Sequence, residues 1–304
     1  MSLSASNKTA FYSPYSFLGK SDLCATHFLS CLEEDLALGK AECFDSGYGV
    51  AIYFRELPWD TEFFGLPTFR VDYTTLSVTH DVCSLQNAFI KFREYLSSQY
   101  PEYYCFAEVP VEDSNTLLGM SSAAWRLIET RITCFRDDLQ QFDYPTRSVV
   151  RKASESDISE LRRVAKEAVN IYDRFHADDF FSKNEADEFL ATFIENSVRG
   201  FADEVIVPGN GPANAFLTGN YVTPPSSISS MQMGKMVLSA VSSERRGWYV
   251  RLIAELSLIF RGMGINTVFM TTQATNRAVL KVWFRHGYRF GRCTHIFSTY
   301  SRMR

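Results

Sequence analysis

The 304-residue chain has no surplus of positive charge. Lys and Arg number 31 against 35 Asp and Glu, a net charge of −4. Without a global basic field, general nucleic-acid binding is disfavoured, while a local basic pocket for a small anion stays open. The seven cysteines (Cys24, Cys31, Cys43, Cys83, Cys105, Cys134 and Cys293) are odd in number and scattered, and form no CxxC pair. That argues against zinc and thioredoxin-type sites and reads as reduced thiols, with no metal expected. No apolar run approaches the roughly 18–20 residues of a membrane helix. The opening MSLSASNKTAFYS holds no apolar core of a signal peptide. The expectation is a soluble, cytoplasmic protein without a membrane span. Neither a repeat of about 20–50 residues nor a low-complexity tract is visible.

What is present is an ordinary globular composition, 46% hydrophobic and 22% charged. The length suggests two domains, and 25 Phe with 15 Tyr predict aromatic-rich packing. A polar, Pro-bearing stretch, QQFDYPTRS at 140–148, reads as a linker. Residues 46–140 then form a smaller α/β domain, residues 147–304 a second domain, and residues 1–45 an extension of unknown role.

After the linker the elements are legible. Val149–Ala153 is a short strand, and Ser154-x-x-Asp157 resembles a capping box ahead of a helix bearing Ile158, Leu161, Val164 and Ala165 on one face. A second helix covers 184–198, strands cover 205–208 and 213–222 around GNGPAN, and a third strand covers 235–241. Helix 246–261, strand 267–271, helix 276–286 and strand 288–298 follow. Helices alternating with strands imply a mixed sheet with helices on its faces. In the first half, 49–55, 68–72 and 103–109 read as strands, and 85–97 and 115–123 as helices.

Two segments carry chemistry. In VLSAVSSERRGWYVRLI, 237–253, a strand enters a turn with two arginines and a glycine before a helix begins. First-turn N–H groups lack intrahelical partners, and the macrodipole adds positive charge there. With Arg245, Arg246 and Arg251 they make an anion site suited to a diphosphate. Gly247 lets a phosphate approach the backbone. In TTQATNRAVLKVWFRHGY, 271–288, Asn276 starts a helix that ends before Gly287. Asn276 as N-cap and Gly287 as terminator also have plain structural readings.

Together these segments resemble the GNAT superfamily of acyl-CoA-dependent N-acyltransferases. Its Q/R-x-x-G-x-G/A loop corresponds to Glu244-Arg245-Arg246-Gly247-Trp248-Tyr249, and its N-x-x-A-x-x-x-Y-x-x-x-G-F run to Asn276, Val279, Trp283, Gly287 and Tyr288. The resemblance implies an α/β (α+β) GNAT fold over 147–304 and acetyl-CoA as donor substrate. It implies donor contacts from the strand holding Leu238 and Ala240, from Arg245, Arg246, Gly247 and Trp248, and from Asn276 and Trp283. A homodimer is common in that superfamily. Three departures stand out. Tyr249 crowds the backbone where Gly or Ala is usual, Glu244 puts negative charge near a diphosphate, and Trp283 replaces the tyrosine that protonates the leaving thiolate.

Four further segments resemble TDP-fucosamine acetyltransferases: LPWDTEFFG at 57–65, DRFHAD at 173–178, FIENSVRG at 193–200 and TQATN at 272–276. They imply acetyl transfer to the 4-amino group of a nucleotide-linked amino sugar in surface-polysaccharide synthesis. Trp59, Phe63 and Phe64 read either as a sugar-stacking cluster or as packing at a domain junction. Candidate catalytic residues are Tyr288 as a substitute proton donor, with water or an unassisted departure of the thiolate as alternatives, and His176 and Asp178 as acceptors of the amine proton, directly or through water. A backbone N–H near Leu238–Ser239 is the candidate donor to the thioester oxygen. His286, before the helix-ending glycine, reads as a partner of the helix dipole. The alternatives are a GNAT acting on another amine (protein, polyamine or antibiotic), or a catalytically silent CoA-binding interaction module.

Overall fold

The computed structural model of the chain describes residues 8–76 and 82–302. The first seven residues of the opening segment read above lie outside this range. In chain order the elements are α1 (Thr9–Tyr12), α2 (Ser21–Ala37), β1 (Glu42–Asp45), β2 (Val50–Glu56), α3 (Pro58–Phe64), β3 (Thr68–Leu76), α4 (Val82–Gln99), β4 (Tyr103–Pro110), α5 (Ser114–Ser122) and β5 (Arg126–Arg136). They continue with β6 (Val150–Lys152), α6 (Ile158–Glu167), α7 (Arg174–Ala177), α8 (Lys183–Asn196), β7 (Glu204–Pro208), β8 (Ala215–Val222), β9 (Met233–Val241), α9 (Trp248–Gly262), β10 (Thr267–Gln273), α10 (Arg277–Arg285) and β11 (Arg289–Ser301). Among the described residues no helix is long and apolar enough to cross a membrane.

Contacts divide the chain into two compact units, Met1–Arg131 with Arg292–Arg304, and Ile132–Gly291. These bounds differ from the 46–140 and 147–304 read from sequence. The N-terminal stretch is part of the first unit because Phe28, Leu29 and Leu32 of α2 pack on Ala51, Tyr53 and Tyr73 of its sheet. The final strand joins it because β11 pairs antiparallel with β4, from Thr294↔Pro110 to Ser301↔Tyr103.

In the first unit β1, β2 and β3 are antiparallel neighbours, and β3 runs parallel to β4. Helix α4 presents Leu85, Phe89, Phe92 and Leu96 at helical spacing to Val50, Ile52, Phe54, Val71 and Cys105. Each such large side chain stabilises the fold by about 1.5–3 kcal/mol on full burial. Asp113 caps α5 by accepting from the Thr116 amide.

In the second unit β6, β7, β8 and β9 are antiparallel neighbours, and β9 runs parallel to β10. Leu252, Ile253, Leu256 and Phe260 of α9 cover one face, over Ile206, Ala215, Leu217 and Met236. Leu161 and Val164 of α6 and Ile194 of α8 cover the other, over Val205, Val207, Phe216 and Ala240. Reciprocal side-chain caps stand ahead of both helices on that face, Ser154 with Asp157 at the 3-10 turn Glu155–Asp157 that leads into α6, and Ser182 with Glu185 at the start of α8. Gly219 and Gly234 let α9 lie close, since a Cβ on either would meet the Phe260 ring at 2.8 or 2.7 Å. The linker is pinned from below: buried Glu255 accepts from Arg147 at 2.7 Å and from the Ser148 amide at 2.6 Å.

Each unit therefore contains the same run, namely three antiparallel strands, a crossover helix, a parallel strand and a further helix. The sequence shows no trace of this repetition.

Candidate functional site

The second unit opens where β9 and β10 part. Their pairing runs from Thr267↔Met233 to Met270↔Met236, although β9 continues to Val241 and β10 to Gln273. Residues 237–241 thus leave the β10 side of their backbone unpaired at the carboxyl ends of two parallel strands, where open α/β sheets bind ligands. On its other side β9 carries a bulge. Leu217 faces Ser239 and Gly219 faces Met236, so two residues, Val237 and Leu238, oppose Thr218. Bulges re-aim the backbone next to ligand sites. The Leu238 N–H donates to the Thr218 hydroxyl at 2.9 Å, so the donor expected at that atom is already committed. Ala240 is buried toward α6 and α8, which leaves only its backbone for a ligand.

From β9 the chain makes a 3-10 turn over Ser243–Arg245 and enters α9 through Gly247. This glycine has φ 89° and no side chain caps the helix. A left-handed residue is costly for anything with a Cβ, and the uncapped first turn presents its N–H groups to an anion. Arg246 and Gly247 are exposed beside it. Arg245 is anchored elsewhere: Nε donates to Asn214 Oδ1 at 2.8 Å. Trp248 has the guanidiniums of Arg245 and Arg251 within 5.8 and 5.3 Å of its ring centroid. At the foot of the turn the Ser242 hydroxyl is buried and has no partner among the described residues.

On the β10 side, Asn276 caps α10, accepting from the Val279 amide at 3.4 Å, and donates to Thr272 Oγ1 at 3.2 Å. Thr271 pairs with Thr133 of β5 at 2.9 Å. Gln273 accepts from Asn170 at 2.6 Å, which joins the α6–α7 loop to the tip of β10. Of the segments singled out in the sequence, 272–276 is thus tied to the loop that leads into α7.

Trp283 is 3% exposed, and its Nε1–H donates to the Tyr249 hydroxyl at 2.7 Å. Tyr249 also meets the Ser239 side chain, and burial raises its pKa while these two hydrogen bonds act against the rise. Tyr249 therefore turns into the core between α9 and α10, which corrects the expectation from sequence that it would crowd the Gly247 backbone. Spacing alone gave no sign of the Tyr249–Trp283–Ser239 cluster.

The three expected catalytic residues are placed otherwise. Tyr288 is 2% exposed, bonded to Ser257 at 2.9 Å, with its pKa raised by burial. A hydroxyl enclosed in this way packs the core. His176 has both ring nitrogens engaged, Nδ1 with Asp173 at 2.8 Å and Nε2 with Asp187 at 3.0 Å. Burial lowers its pKa, but the two carboxylates outweigh burial and the net shift is upward. With both ring nitrogens taken by carboxylates, neither is left to accept an amine's proton. Asp178, the other expected acceptor of the amine proton, is buried at the end of α7 and accepts from the Phe180 amide at 3.2 Å. His286 does donate its Nδ1–H to the Val282 carbonyl at 2.8 Å, but burial lowers its pKa, which favours a neutral ring over a charged dipole partner. In the first unit, Trp59 and Phe63 stack at 5.6 Å on α3, with Trp59 37% exposed.

No protein-family model matches the chain, and a search of curated proteins finds no match. Solved structures do match. A GCN5-related N-acetyltransferase from Sphaerobacter thermophilus aligns with a TM-score of 0.56 at 11% identity, over 86% of this chain and 83% of its own. A tandem GNAT protein from the clavulanic acid biosynthesis pathway aligns with a TM-score of 0.50 at 13% identity, over 84% and 80%. A GCN5-related glucosamine N-acetyltransferase region of a fungal multi-domain GH3 β-N-acetylglucosaminidase aligns with a TM-score of 0.56 at 15% identity, over 82% of this chain and 31% of that one. The chain has the GCN5-related N-acetyltransferase fold. None of these three is a TDP-fucosamine acetyltransferase.

Proposed function

We propose that the chain is an acetyl-CoA-dependent N-acetyltransferase whose donor binds at the divergence of β9 and β10. One observation carries this reading: the unpaired backbone of 237–241 runs directly into the uncapped, glycine-led start of α9. Pantetheine amides would complete the missing strand pairing, the α9 amides with Arg246 would hold the diphosphate, and Asn276 would border the arm. Positioning of amine and thioester supplies several kcal/mol of the rate enhancement, and transfer is direct. Strand β9 holds no carboxylate and His176 is engaged, so water removes the amine's proton. The test is calorimetry with acetyl-CoA. Micromolar binding that is lost in Arg246→Glu supports the reading, and no binding to the wild type overturns it.

For the acceptor we favour the amine of a nucleotide-linked amino sugar. Support comes from the four sequence segments at 57–65, 173–178, 193–200 and 272–276, the last of which is bonded through Gln273 to Asn170 in the loop before α7. The fungal neighbour, whose own acceptor is glucosamine, adds to it. Turnover across sugar-nucleotide amines, polyamines and peptides decides the matter. Transfer to a polyamine or peptide alone rejects the sugar reading, and no transfer to any amine favours a silent CoA-binding module.

A further inference from the structure

The first unit holds a cavity of about 620 Å³, a size usual for a small-molecule site. Its wall is built from the last turns of α4, the turn between α5 and β5, and the end of β11, all of them in that unit. Two guanidiniums in the wall can only donate hydrogen bonds. Arg93 is fixed by Nη1, which donates to the Ala123 carbonyl at 3.2 Å, and Arg126 by Nη1, which donates to the Tyr300 hydroxyl at 2.6 Å. Other groups in the wall are acceptors. The Ser98 and Ser301 hydroxyls give their protons to the Tyr95 and Pro101 carbonyls at 2.7 and 2.9 Å, so each oxygen keeps only acceptor capacity. Glu94 is exposed and has no ion pair among the described residues. Ala124, at φ 59°, is the one left-handed residue other than glycine among the described residues. It ends α5 where glycine is usual, and it forms part of the cavity wall. Strained backbone of this kind gathers at ligand sites.

Charge around the cavity is close to balanced. The two guanidiniums stand against the Glu94 carboxylate and the carboxyl ends of α4 and α5, each worth about half a negative charge. A carboxylate or a fully ionised phosphate gains little from such a field. Having only acceptors, it also leaves Glu94, Ser98 and Ser301 without partners. A sugar hydroxyl both donates and accepts, so a ring bearing several of them satisfies both halves of the wall. We propose that this cavity is a carbohydrate-binding site for an uncharged glycosyl group. Arg93 and Arg126 donate to the sugar hydroxyls, and Glu94, Ser98 and Ser301 accept from them. The site does not depend on the acetyl-CoA reading above, and it stands even if the donor fails to bind.

The test is a ligand-observed NMR titration of the full chain. The neutral probes are the methyl glycosides of glucose, galactose, mannose and N-acetylglucosamine, and glucose 6-phosphate is the charged counterpart. At least one methyl glycoside is expected to bind with a Kd on the order of millimolar or tighter. Glu94→Ala removes an exposed carboxylate from a helix, so the melting temperature should stay the same. Affinity for that glycoside should fall about tenfold, the worth of a hydrogen bond to a charged group. If none of the methyl glycosides binds, the proposal is overturned. Binding that Glu94→Ala leaves unchanged places the sugar elsewhere on the chain and overturns it too. Tighter binding of glucose 6-phosphate that Glu94→Ala strengthens further makes the cavity an anion site, which also rejects the proposal.

Discussion

In the second unit the parting of β9 from β10 leaves 237–241 unpaired. In the first unit β3 and β4 part in the same way, after Val71↔Ala107, and the space beside β3 holds the chain's own side chains. Lys8 Nζ reaches Asp113 at 2.9 Å, Thr74 at 3.4 Å and Thr116 at 3.5 Å. The Tyr12 hydroxyl donates to Asp113 at 2.7 Å, and Thr74 pairs with Thr116 at 3.1 Å. Burial raises the Asp113 pKa, but Lys8, Tyr12 and Thr116 together hold it below the ordinary value. One strand order thus gives an edge left without strand pairing among the described residues, and an internal polar network where an N-terminal segment reaches in. A topology creates the gap between diverging parallel strands, but the residues nearby decide whether it can take a ligand.

The largest effect is expected from damaging the open gap. Gly247→Val would put a Cβ at φ 89° and block the approach to the α9 amides. Acetyl-CoA affinity should fall about a hundredfold by calorimetry, the equivalent of two charge-assisted hydrogen bonds. Cutting the network in the first unit should do the opposite. Lys8→Met with Tyr12→Phe leaves the 3%-exposed Asp113 without its cation, and chemical denaturation should register a loss of about 2 kcal/mol. Acetyl-CoA affinity should not change, and a change would mean that the two gaps are not independent. A smaller effect, about tenfold weaker binding and a shallower salt dependence, is expected of Arg246→Gln, which removes one charge-assisted contact.

The smallest concerns the aspartate-bound histidine. Because the folded pKa of His176 is raised, its contribution to stability is full below the unfolded value, near pH ~6.5. It is lost as pH climbs through the raised folded value. His176→Gln should therefore be about 1 kcal/mol less stable at pH 5.5, with the difference in melting temperature shrinking toward pH 9. A constant difference would mean that the Asp173 and Asp187 contacts do not raise the His176 pKa.

Much of this could be read along the chain. The periodicity of Leu161 and Val164, the Ser154–Asp157 cap, and Gly247 between an apolar strand and a helix are local signals. They placed α6, β9, α9 and the anion site within a few residues. The acid–base residues could not be read in this way. His176 and Asp178 sit in a loop whose composition suggests exposure, yet the aspartates that engage His176, Asp173 and Asp187, come from either side of it. Along the chain Tyr288 is the tyrosine next to Trp283, while the phenol that Trp283 meets lies 34 residues earlier. The first 45 residues were illegible because α1 and α2 acquire meaning only against β2, β3 and α5.

The sequence by itself determined which segments become helix or strand, where the glycine-led turn falls and the charge around it, because these follow from spacing and backbone preference within a few residues. Tertiary structure alone decided that β9 and β10 separate beyond Met236 and Met270, that β11 pairs with β4, that Tyr249 meets Trp283, and that Lys8 reaches Asp113 105 residues away. Those contacts join groups far apart in the chain, and they form only when burying both partners together outweighs the entropy of closing the loop between them.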